Sequence, residues 1–383
     1  MQSPNTNRFG VGAAMLVAAL IGGCGQKLSP EEHLARAESA LARGEFREAV
    51  IEYKNVLLAQ PDNLDARVGL GRSFVELGNP VAGEQDLARA LQLGAEASRV
   101  QPWLAESWLG QGKYDRVNDV AISPDLSAEQ QAALLAVQAE ARLAQGQTAE
   151  AEAAATAALQ AQPESASAAL AMARVKAGQG AFGEARRLVE LVLQRESANA
   201  VAENLLGEIE RATGRLTEAE AAFTRAMNDP RQALESQLNR AYVRIQANRL
   251  DEAAQDIEAL KARIKGNVLV DYAEGLLLYT RQDYAKASER LEAVLGASPD
   301  YIPALRLAGA TRLALGEPAR ARVYLQRAAS ALPENVEIQR MLTMTLLQLG
   351  EAAEAERLAR GLVEKAPQDT GALDLLASAL MMQ

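Results

Sequence analysis

Residues 40–63 read ALARGEFREAVIEYKNVLLAQPDN. A helical stretch runs into Gly44, a second opens at Phe46, and Pro61 stops it. Glycine ends helices because it enters the left-handed backbone region without a Cβ penalty. Proline cannot continue a helix, having no N–H to donate. The stretch therefore predicts two short helices joined by a tight turn, and the fold depends on whether that unit recurs.

It recurs in steps of 34 residues with no insertion. With Pro30 as position 1, repeats start at 30, 64, 98, 132, 166, 200, 234, 268, 302, 336 and 370. Position 8 is Gly or Ala in every repeat except one, where it is Thr343. Position 20 is likewise small, apart from Val117, and position 15 is glycine apart from Asn248 and Gln282. Small residues at 8 and 20 let two helices approach closely, whereas a large side chain there overpacks the contact. Apolar or aromatic side chains fill position 24 (Tyr53, Leu87, Val189, Phe223, Ile257, Leu291, Leu325). Proline stands at position 32 in Pro61, Pro163, Pro299, Pro333 and Pro367. Alanine is common enough for one column to arise by chance, but several columns in one register are not.

This pattern resembles the tetratricopeptide repeat (TPR), with Phe46, Tyr114, Phe182 and Tyr284 at position 17 in the clearest copies. The resemblance covers residues 30–383 and implies an all-α superhelical solenoid of about ten helix–turn–helix repeats plus a terminal helix. Position 4, often Trp in such repeats, is never Trp here. The third repeat degenerates after WLGQGKYDRVNDV, where ISPDLSAEQQ replaces the end of its second helix. The expected organisation is repeats 1–3 over residues 30–131, repeats 4–10 over 132–369, and a terminal helix over 370–383. That helix carries Leu373, Leu375, Leu376 and Leu380, an apolar end for an array whose last unit is usually polar. It fits either an end that docks onto something or a shortened relative of a longer array.

Composition narrows the chemistry. The formal charge of −10 and the absence of a Lys/Arg cluster argue against nucleic acid as a partner. One Cys and one His exclude a structural zinc site made of several N and S ligands, and no intramolecular disulfide can form. There is no Ser/His/Asp set and no phosphate-binding loop. The glycines of GLGRSFVELG (69–78) fall on repeat positions and follow no strand. The expectation is a chain without catalytic residues, metal or cofactor.

The N-terminus reads MQSPNTNRFGVGAAMLVAALIGGCG. A polar start with Arg8, an apolar run from Val11 to Ile21 and two glycines form a secretory signal over residues 1–23. The run is too short to span a bilayer, which takes roughly 20 apolar residues. Ile21-Gly22-Gly23-Cys24 resembles a bacterial lipobox, which implies cleavage before Cys24, lipidation of its thiol and a short tether over 24–29. Two or more acyl chains anchor stably. Gly25 in place of Asp implies, by the same resemblance, the outer membrane with the array facing the periplasm.

In TPR arrays the first helix of each repeat lines a concave groove, and positions 2, 5, 9, 12 and 13 face it. Carried onto this sequence, these positions place Arg72, Arg174, Glu208 and Arg211 in the N-terminal part and Tyr242, Tyr272, Tyr279, Arg306 and Arg340 in the C-terminal part, the candidate partner-binding residues. Tyr and Arg are enriched at binding hot spots; the competing reading is that the tyrosines pack between repeats. Tyr272→Ala separates the two, since a groove residue is lost without unfolding. A lipobox followed by SPEEHLARAESALARGEFREAV and the WLAESWLGQGKYDRVNDV repeat is similar to the start of the PEP-CTERM/exosortase-system TPR lipoproteins. That similarity implies a lipid-anchored scaffold for protein partners in envelope assembly or polysaccharide export. The alternatives are a lipoprotein assembly factor for pili or outer-membrane proteins, and a soluble cytoplasmic TPR adaptor.

Overall fold

The computed structural model describes residues 28–383, which contain helices and turns and no strand. The signal sequence over 1–23 and Cys24 lie outside the described residues. The chain divides into two compact blocks at Leu126/Ser127. The N-terminal block holds α1 (Pro30–Ala42), α2 (Phe46–Ala59), α3 (Leu64–Glu76), α4 (Pro80–Gln92), α5 (Ala97–Gly110) and the five-residue α6 (Tyr114–Asn118). The C-terminal block opens with α7 (Ala128–Ala144), α8 (Thr148–Ala161), α9 (Ala166–Gly178), α10 (Phe182–Arg195), α11 (Ala200–Ala212), α12 (Leu216–Ala226) and α13 (Ala233–Gln246). It continues through α14 (Leu250–Arg263), α15 (Val268–Thr280), α16 (Tyr284–Ala297), α17 (Ile302–Ala314), α18 (Pro318–Ala331), α19 (Val336–Gln348), α20 (Ala352–Lys365) and α21 (Thr370–Met381). Odd-numbered helices are the A helices of the repeats and even-numbered ones the B helices.

Every B helix begins at position 17, from Phe46 to Ala352. The A helices keep the register almost as well. The largest departure is α7, which starts at Ala128 rather than at 132. A capping box explains it: Gln130 N donates to Ser127 Oγ at 3.2 Å, and the Gln130 side chain accepts from Ser127 N at 2.9 Å. Just before it, the ISPDL stretch contains Pro124 and leaves α6 five residues long.

Position 15 behaves as its glycines require. All ten residues there have positive φ, including Asn248 at 58° and Gln282 at 63°. Gln282 is the more strained, because a long side chain visits this region rarely.

The core lies between A and B helices, where position 8 meets position 24. A Cβ on Gly207 would stand 2.6 Å from the Phe223 ring, and one on Gly309 would stand 2.5 Å from Leu325 Cγ. Phe223, Leu87, Leu291 and Leu325 are fully buried as a result. Position 34 adds a device of its own. Asn63, Ser165, Asn199, Asn267, Asn335 and Asp369 each accept a backbone N–H at the start of the following A helix. Such caps are worth about 1 kcal/mol each.

Candidate functional site

Within each block, consecutive A helices touch one another, as in α7 with α9 and α13 with α15. Among the described residues no two consecutive B helices do. The B layer is splayed and the A layer crowded, so each block bends toward its A helices, whose free flank is the inside of the curve. Positions 5, 9 and 12 are spaced to share one side of an A helix.

In the C-terminal block this flank starts as a charged surface. Arg174 Nη1 donates to Glu140 Oε1 at 2.7 Å across one repeat. Glu208 lies half-buried on α11, and burial pushes its carboxyl above the usual range, with nearby Glu235 adding to the effect and Arg174 and Arg211 opposing it. Arg211 is exposed. Asn204, 5% exposed, donates to Glu208 at 3.3 Å and accepts from Ser236 at 3.0 Å.

From α13 onward the chemistry changes. Tyr242 donates to the Leu269 carbonyl at 3.3 Å and stands 6.4 Å from the Tyr272 ring. Tyr272 meets Tyr301 edge-on at 5.3 Å. Burial is the first cause of the raised pKa values of Tyr242, Tyr272 and Tyr301, so these rings stay neutral phenols at physiological pH. Tyr301 occupies position 34, where other repeats place a capping Asn, Ser or Asp, and it caps nothing with its side chain. The α17 start gives up a cap and gains an aromatic contact. Tyr279 packs against Tyr284 at 5.4 Å.

The structure thus sorts the residues expected to line the groove. Tyr272 is only 8% exposed and belongs to the core, leaving little of it to touch a partner. Arg306 is tied to Glu337 of the next repeat at 2.7 Å, and Arg340 to Asp369, the residue that caps the next A helix, so both arginines are engaged within the array. Tyr242 and Tyr279 are half-buried at the surface of the same core. Arg72, in the N-terminal block, stacks its guanidinium 4.5 Å from the Trp103 ring centre.

Reading single residues for charge and aromaticity missed the apolar members of the flank. Position 9 carries Leu276, Ala310 and Met344, and position 12 carries Tyr279, Leu313 and Leu347. All are at least partly accessible, and Met344 is 43% exposed. The signal was in the sequence, down the columns rather than along the chain.

Two tetratricopeptide-repeat profiles match this sequence, one over residues 34–98 and 205–267 and the other over 142–209 and 312–379. The chain is a tetratricopeptide-repeat protein. The fold resembles a TPR protein from Parabacteroides merdae, at 14% identity and a TM-score of 0.52, over 66% of this chain and 99% of that one. It also resembles the APC/C hetero-tetramer Cut9–Hcn1, at 13% identity and a TM-score of 0.50, over 92% of this chain and 97% of that one. No curated protein sequence matches.

TPR arrays need polar ties between repeats as well as packed cores, and this one places them where B helices meet the next A helix. Position 21 pairs with position 11 of the following repeat in Glu152–Lys176 (2.6 Å), Arg186–Glu210 (2.7 Å) and Glu220–Arg244 (2.8 Å). In the N-terminal block Glu84 plays this part, accepting from Trp108 Nε1 at 2.9 Å, Gln111 at 2.7 Å and Lys113 at 2.6 Å. Burial alone raises Glu84, but these donors outweigh it and draw the carboxyl down to about 2. Asp256, 3% exposed, is held by Arg240 at 2.6 Å and Arg244 at 2.8 Å.

Proposed function

We propose that this TPR protein is a non-enzymatic scaffold that captures segments of other proteins on the A-helix flank of α13–α19. The observation carrying this reading is the apolar strip formed by Leu276, Tyr279, Leu313, Met344 and Leu347, side chains at positions 9 and 12 of α15, α17 and α19 that all keep some accessible surface. Exposed apolar side chains scattered singly are ordinary, whereas a contiguous strip marks an interaction surface. Three successive A helices contribute to this one.

The scaffold is lipid-anchored through Cys24 in the bacterial envelope and serves polysaccharide export and PEP-CTERM protein sorting. The lipobox-like Ile21-Gly22-Gly23-Cys24 and the short tether to α1 support this. Among the described residues no helix is long and apolar enough to cross a membrane.

Mass spectrometry of the mature N-terminus tests the anchor. The expected product begins at a lipidated Cys24; retention of Met1 with an unmodified thiol overturns it. For the strip, Met344→Glu is expected to abolish capture of envelope partners in a crosslinking pull-down while the helical circular dichroism signal stays unchanged. Capture equal to wild type removes the strip from the function.

A further inference from the structure

The apolar strip has two unlike ends. On the α19 side Arg340 is tied to Asp369 and Arg306 to Glu337, so charge there is answered inside the array. Beyond α13 the A-helix flank continues to Asn204 on α11, whose orientation is fixed: its Oδ1 accepts from Ser236 Oγ at 3.0 Å and from Asn239 Nδ2 at 3.4 Å. The Asn204 Nδ2 is therefore turned toward two carboxylates, Glu208 Oε1 at 3.3 Å and Glu235 Oε1 at 3.5 Å. One neutral amide is shared by two acids. Arg174 is held by Glu140 and lies two repeats away from Glu235. Burial keeps Glu208 harder to ionise than an ordinary carboxyl even with Arg174 and Arg211 nearby, so a further cation brought to this end is favoured and an anion disfavoured.

We propose that the A-helix flank binds a partner segment in which an apolar stretch is bordered by a Lys or Arg, the cation seating on Glu208 and Glu235 and the apolar side chains on Leu276, Tyr279, Leu313 and Met344. The proposal rests on reading the strip as a docking surface and adds the direction and chemistry of the ligand. The segment crosses four interhelix steps of about 8–10 Å each from α11 to α19. An extended chain advances about 3.3 Å per residue and covers that span in roughly a dozen residues. The ligand class is thus a short extended peptide with its positive charge at one end.

Peptide display tests this on the immobilised full chain, with random segments of about sixteen residues, enough to cover the span. The expected winners carry an apolar run with Lys or Arg at a fixed spacing from it. Selection on the Glu208→Gln, Glu235→Gln double variant is expected to return the apolar run without the basic preference. A synthetic winner should bind that variant about tenfold more weakly. On the wild-type chain, the same peptide with its Lys exchanged for Glu should bind as weakly, a readout independent of any effect of the protein substitutions on folding. Apolar winners with no basic residue, or a basic preference that survives in the double variant, overturn the cation seat and leave the strip standing. Winners held equally by Met344→Glu, or no enrichment over a protein-free control, overturn the docking strip itself.

Discussion

Position 9 of the A helices reads Glu140, Arg174 and Glu208 from α7 to α11, and Leu276, Ala310 and Met344 from α15 to α19. The backbone under the two stretches is the same: B helices start on one interval throughout, and the turn residue has positive φ in both. The fold is carried by positions 8, 15, 20 and 24, which tie each helix pair together. Position 9 does not enter that contact, so its chemistry varies without altering the scaffold, whereas position 5 reaches the core at Tyr272. One stretch uses position 9 to pair charges between repeats, as in Glu140 with Arg174, and the other uses it to present apolar surface, as in Met344.

The largest expected effect lies where the two stretches join. Asp256→Ala strands Arg240 in a largely buried setting, while Arg244 keeps Glu220, and breaking one side of a buried pair costs about 3–5 kcal/mol. Urea denaturation followed by circular dichroism is expected to show that loss; a change below about 1 kcal/mol would mean that solvent rescues Arg240. Next comes Tyr272→Ala, expected to destabilise by about 3 kcal/mol because it empties a core site. Its surface neighbour Met344→Glu should stay within about 0.5 kcal/mol. If the order is reversed, Tyr272 is a surface residue after all and the division between core and strip fails.

A pair of glycines compares the helix contacts in the two stretches directly. Gly207→Ala drives a methyl into the Phe223 ring, and Gly309→Ala into the more pliable Leu325. Both should destabilise by about 1–3 kcal/mol, the ring-facing one more, as thermal melts will show. The smallest effects are electrostatic. Glu84 is lowered to about 2, so its contribution is present above about pH 4.5, the ordinary value, and is lost as pH falls toward 2. Glu208 is raised, so the folded chain is penalised as pH climbs through that raised value. Stability-against-pH curves should therefore flatten at the acid end in Glu84→Gln. Glu208→Gln should gain slightly at neutral pH and match wild type where both acids are protonated.

The repeat length, helix starts and left-handed turns were all legible in the sequence, because each rests on a local rule that repeats ten times. The early start of α7 escaped because the Ser127–Gln130 capping box competes with the periodic register and wins locally. The candidate site was half legible. Columns 5, 9 and 12 are spaced to share one side of the A helices, yet Tyr272 is buried there. Its ring meets Tyr242 and Tyr301, which lie 30 and 29 residues away in the chain, one in the preceding repeat and the other at the last position of its own. The fate of Arg306 and Arg340 had the same cause: their partners, Glu337 and Asp369, lie 31 and 29 residues away in the chain, beyond any helical spacing. Local pattern gives which residues share a helix side, and the neighbouring repeat decides which of them remain available.

The unbroken interval between B helices has a consequence for how such a chain changes over generations. An in-frame duplication or loss of the segment encoding one repeat leaves every surviving helix beside a neighbour of the same kind, since each repeat meets the next through the same positions. Length can therefore drift while phase is conserved, and a new repeat enters with its fold already specified and only its flank left to be written by selection.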